Sequence, residues 1–84
     1  MKHSEASAGT MVRTNRHVHG IPPDTFGVIC EVSDDHILVA WHLCDKPLPN
    51  LTPKSITDLA EDDPRCPLRD RLTMEDAMAF LEPA

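Results

Sequence analysis

Tyrosine is absent from this chain of 84 residues, and Phe26, Trp41 and Phe80 are its only aromatic residues. Large apolar anchors are therefore few. A chain of this length buries only roughly 60–65% of its unfolded surface, so the core is thin. Burying one large side chain contributes about 1.5–3 kcal/mol, which gives Trp41 unusual weight. Cysteine is sparse and odd in number, at positions 30, 44 and 66. No Cys-x-x-Cys or His-x-x-x-His pairing occurs, which removes the close ligand spacings that small zinc sites use. No apolar run approaches the length of a membrane span. The opening "MKHSEASAGT" lacks the apolar segment of a secretory signal. Reduced thiols in a cytoplasmic protein are the expectation. Lysine and arginine are missing from residues 21–45, which carry Asp24, Glu31, Asp34, Asp35 and Asp45. The formal net charge is −6. An acidic whole disfavours non-specific nucleic-acid binding, because phosphate neutralisation needs clustered cations. There is no glycine-rich phosphate loop, no paired-carboxylate motif and no internal repeat.

What is present is enough for one small domain, since 40% of the residues are hydrophobic. Residues 1–9 are small and polar without periodicity and predict a flexible tail. "TMVRT" alternates and predicts a short strand. "NRHVHGIPPDT" is a long loop in which Gly20 can supply positive φ and Pro22-Pro23 blocks a ladder. "FGVICEV" and "ILVAWHL", separated by "SDDH", predict a β-hairpin, because Ser and Asp bond their own backbone in tight turns. Ile37, Val39 and Trp41 share one face and Leu38, Ala40 and His42 the other. "CDKPLPNLTPK" is punctuated by prolines and predicts loop. "SITDLAEDDP" predicts a short edge strand at Ser55–Ile56 and a helical turn at Asp58–Ala60. "RCPLRDR" reads as irregular. In "LTMEDAMAFLEPA", Thr73 is an N-cap with Asp76 three residues on, and Pro83 ends the helix. Met74, Ala77, Met78 and Leu81 form one apolar stripe. So short a helix is unstable alone, so the stripe must dock on its own domain or on a partner.

The run "MVRTNRHVHGIPPDTFGVICEVSDDHILVAWHL" resembles the front of a small SH3-like barrel of the KOW type. Gly27, Ile29 and Val32 occupy its Gly-x-apolar-x-x-Val slots, Val39 and Trp41 those of the next strand, and "SITDLAED" those of the closing strand and helical turn. The resemblance implies a mainly β fold: a five-stranded SH3-like barrel over residues 10–63. A linker and short amphipathic C-terminal helix follow over 64–84. A bulge between Ile29 and Val32 would turn both side chains inward despite their odd spacing, and Gly27 permits a close approach where the strand bends. Val12, Ile29, Val32, Ile37, Val39, Trp41 and Ile56 would then fill the interior, with Cys30, Leu38, Ala40, His42 and Cys44 outside.

Cys30, His42 and Cys44, with His36 or His17, make four soft ligands on paper, but at scattered spacings. The expectation is no metal and no cofactor, with the thiols acting as small hydrophobes. A Cys30–His42 nucleophile pair on a sheet exterior has no oxyanion donors, so no catalytic residue is expected. Arg65, Arg69 and Arg71 could meet an acidic partner or phosphate, or could form local ion pairs in a solvated linker. The expected function is non-enzymatic: a small bacterial accessory or regulatory module acting through protein contacts or self-association. Arg13, Arg16, His17, His19, Leu38, His42, Met74, Met78 and Leu81 are its candidate contact residues. The alternative is a nucleic-acid-associated KOW-type domain that uses Arg13, Arg16, His17, His19 and Lys46. A third reading is an oligomeric enzyme whose site forms only between subunits.

Overall fold

The computed structural model describes residues 3–84. Of the expected tail, residues 1 and 2 lie outside the described residues. Within the rest of it, Ala6 packs against the core and the Gly9 amide donates to the Ile29 carbonyl at 2.7 Å. After a single 3-10 turn at His3–Glu5 the elements run β1 (Met11–Thr14), β2 (Phe26–Val32), β3 (His36–Trp41), α1 (Pro53–Thr57), β4 (Arg69–Thr73), α2 (Met74–Phe80) and β5 (Leu81–Pro83). The strands make one antiparallel sheet in the order β4-β3-β2-β1-β5. β4 and β5 are its two edges and do not pair with each other, so the sheet is not closed into the expected barrel.

Register divides the side chains between two faces. Val12, Gly27 and Trp41 lie opposite one another in successive strands, as do Met11, Val28 and Ala40. The first face carries the main core: Val12, Ile29, Ile37, Val39, Trp41 and Leu72 from the strands, Ala77 from α2 and Leu81 from β5, all fully buried. The predicted bulge is present. The β2–β3 register shifts between Ile29 and Glu31, and Val32 packs on the same core as Ile29. Skipping one residue restores the inward phase that the odd spacing would otherwise break.

Gly27 faces Trp41 across β2 and β3. A Cβ there would meet Val39 Cγ1 at 2.8 Å and both the Ala40 carbonyl oxygen and Trp41 Cε3 at 3.0 Å. One of these contacts is backbone, so relief requires the sheet to move. Gly27→Ala is expected to lower stability by about 1–3 kcal/mol through overpacking, read as a lower urea midpoint with an unchanged slope.

The second face corrects three expectations. Ser55–Ile56 is part of helix α1, not an edge strand. Thr52 accepts from the Ser55 amide and Pro53 takes the first helical position, where its missing N–H is no loss. The helix ends at Thr57, so the turn expected at Asp58–Ala60 follows it and is not helical. Ile56 then packs on Val28 and Ala40, which makes Ala40 fully buried rather than exterior.

The C-terminal third differs most. "RDRLT" is strand β4, with Leu72 buried opposite Ile37. The helix α2 stops at Phe80, not at Pro83. Leu81 leaves it extended (φ −109°, ψ 146°), and residues 81–83 pair with β1. Two of the five strands therefore come from residues 69–83. The expected stripe covers its own sheet: Ala77 and Leu81 are fully buried, and Met74 and Met78 pack half-buried against the core.

Candidate interaction surfaces

The 15–25 loop is folded back over the first face. Val18 and Ile21 exchange two backbone hydrogen bonds, at 3.0 and 2.7 Å, around His19 and Gly20. Both central residues have positive φ, 48° and 81°, which is the requirement of a tight hairpin turn matched to strand twist. Val18 and Ile21 are buried in the core, which leaves His17 and His19 exposed. A buried polar clamp holds the base. Thr14 Oγ1 donates to the Pro22 carbonyl at 2.8 Å and accepts from the Thr25 amide at 2.9 Å. Thr25 Oγ1 donates to the same carbonyl at 2.7 Å. Each hydroxyl is thus satisfied where burial would otherwise penalise it.

Three of the groups expected to form one contact edge, Arg13, Arg16 and His19, are engaged with different elements. Arg13 bonds Glu82, its direct cross-strand partner on β5, at 3.1 Å and lies 3.8 Å from Asp24. The Arg16 guanidinium stands 5.4 Å from the centre of the Phe80 ring. His19 Nδ1 is 2.8 Å from Asp70 Oδ2 on β4. Lys46 is exposed in the loop after β3.

The cysteines and histidines of the hairpin do not converge. Among the described residues no group of three His, Cys, Asp or Glu side chains is placed to hold a metal ion. The exposed His42 accepts from the Leu48 amide through Nδ1 at 3.0 Å, which pins the proline-rich loop to the end of β3. Cys44 is exposed, Cys66 is buried and Cys30 is half-buried beside Val28, Ala40 and Ile56. Burial pushes the Cys30 thiol above its ordinary range, against a smaller opposing effect of Arg69. Iodoacetamide followed by intact mass is therefore expected to show one fast-reacting thiol per folded chain, removed by Cys44→Ser. Rapid labelling of Cys30 would mean that α1 does not stay on the second face.

The arginines ahead of α2 have separate duties. Arg65 folds onto Asp63, and the hydrogen bond from its side chain holds that carboxylate below its usual range. Arg69 reaches across the second face to the end of α1, donating to the Leu59 carbonyl at 2.7 Å and the Ile56 carbonyl at 3.5 Å. Arg71 is exposed. Leu38, opposite Arg71, is half-buried.

Three exposed large apolar residues, Phe26, Leu51 and Leu68, were not singled out by sequence reasoning. Phe26 is 46% exposed and Leu68 47%. Both stand at the rim where β3 ends: the Phe26 carbonyl accepts from the His42 amide, and the Leu68 carbonyl from the Trp41 amide. Their signal in the sequence is weak, because strand-end alternation gives Phe26 the phase of Val28 and Leu68 lies in a stretch that looks irregular. No family model matches the chain, and no curated protein or solved structure matches it.

Proposed function

We propose that this chain is a non-enzymatic binding module of the SH3-like, KOW-type class that acts through protein–protein contacts. The observation that carries the reading is the rim at the end of β3. A chain with three aromatic residues leaves one of them, Phe26, half exposed, with Leu68 on the other side of the same strand end. Phe26 keeps the phase of Val28 and Leu68 stands opposite Trp41, so exposed apolar side chains top both faces of the sheet at one strand end, a place where a partner can make contact. The SH3-like part of the reading is supported by the return of β5 to β1 with a short helix just before it.

Affinity capture with the intact chain and with a Phe26→Ser/Leu68→Ser variant tests the reading, with circular dichroism to show that the variant is folded. The expected result is a protein retained by the wild type and lost by the variant. A monodisperse monomer that retains nothing above an unrelated control would discard it.

A further inference from the structure

The two edges of the sheet are not equivalent. Along β5, the Leu81 amide is taken by the Ala77 carbonyl at the end of α2, and Pro83 has no N–H. That edge presents no row of donors to an incoming strand. Along β4, the Trp41 amide bonds the Leu68 carbonyl and the Met74 amide bonds the Asp35 carbonyl. In an antiparallel ladder this parity sets the rest: Leu68, Asp70, Leu72 and Met74 turn their backbone groups toward β3. Arg69 and Arg71, opposite Ala40 and Leu38, turn theirs away from the sheet. The N–H and carbonyl groups of Arg69 and Arg71 therefore stand on the open edge, about 7 Å apart along the strand, with the Thr73 N–H in the same phase.

The charges beside these groups choose the occupant. Arg69 and Arg71 share the second face with Ala40 and Leu38. Asp70 lies on the other face and is engaged by His19. Asp35 is hydrogen-bonded to His36. A second copy of this chain fits poorly. Every antiparallel register that engages the Arg69 and Arg71 backbones together sets arginine opposite arginine, and like charges directly opposite destabilise a pair.

Resting on the protein-contact reading above, we infer that the outer edge of β4 takes an extended segment of a partner protein as a sixth strand, with an acidic side chain opposite the exposed Arg71, since the Arg69 guanidinium is held by the Leu59 and Ile56 carbonyls. The backbone groups of Arg69 and Arg71 supply affinity and the exposed Arg71 guanidinium supplies the preference for acid.

The test is an amide-resolved NMR titration of the intact chain with a synthetic peptide of about eight residues alternating Val and Glu, and with its Val/Lys counterpart. The Arg69 and Arg71 amides are expected to shift and to gain exchange protection with the Glu peptide only. Arg71→Pro removes an outward N–H without breaking a bond to β3, and it is expected to weaken binding by about tenfold or more, roughly 1.4 kcal/mol. Arg71→Glu gives the same loss should the proline variant not fold. Equal binding by these variants, shifts confined to the Phe26 and Leu68 rim, or no shift at millimolar peptide would overturn the inference. So would a single-stranded oligonucleotide that shifts the same amides when the peptide does not. Those outcomes leave the module reading to be decided by the Phe26→Ser/Leu68→Ser capture, whose result is independent of this edge.

Discussion

A chain cut after Leu68 is expected to be unfolded, with a far-ultraviolet spectrum lacking strand signal and amide resonances collapsed into the random-coil range. Such a fragment keeps β1, β2, β3 and α1, the part that the SH3-like resemblance covers. It loses Leu72, Ala77 and Leu81, three fully buried members of the main core. It also strips both neighbours from the ends of the sheet: β3 loses β4, and β1 loses β5. Truncating one such leucine in place costs about 2–5 kcal/mol. A small domain has only about 5–15 kcal/mol in total, so losing two leucines with two edge strands exceeds what remains. A fragment that folds cooperatively would show that the core does not depend on the returning strands.

Trp41→Ala is the largest single substitution. Trp41 is the largest fully buried side chain, and it sits opposite Gly27, whose missing Cβ makes room for it. Its removal leaves a cavity lined by the sheet itself, which cannot collapse without breaking the ladder. The expected loss is about 3–5 kcal/mol, enough to populate the unfolded state at room temperature. Trp41→Phe separates packing from polarity. Trp41 Nε1 is buried without a hydrogen-bond acceptor among the described residues, so phenylalanine forfeits no bond there. It should lose much less than alanine in a urea titration. Near-equal losses for the two variants would mean that the indole edge, and not its bulk, holds the core.

The central hairpin was legible because its physics is local. Alternation in "ILVAW", the odd Ile29–Val32 spacing and Gly27 all point to one bulged, closely packed pair of strands, and each is present. The N-cap Thr73 was legible for the same reason: its side chain accepts from the Asp76 amide three residues on. β4 was not. "RDRLT" holds one apolar residue in five, and neither Arg nor Asp favours a strand in isolation. Pairing with β3 decides its structure, and no local pattern encodes that partner. Pro83 misled in another way. It looked like the end of a helix, but it is tolerated in β5 because an edge strand leaves one row of amides unused. Thr52-Pro53 was a helix start that resembled loop punctuation. The contact residues followed suit. Leu81 had the right periodicity for an exposed stripe, yet its periodicity carried it into its own core. Phe26 was the reverse, an aromatic residue in a strand that ends at the surface.

The pairing of β1 with β5 joins residues far apart in the chain: Arg13 and Glu82 are 69 positions apart and in contact. Closing a loop that long carries an entropic penalty that must be met before the contacts it enables can form. Folding is then governed by a late search rather than by the quick hairpin at its centre, and a rate on the slow side for a domain of this size follows. While that search runs, the apolar faces of β2 and β3 stand open to water, so this small sheet is most vulnerable to aggregation just before its two distant strands meet.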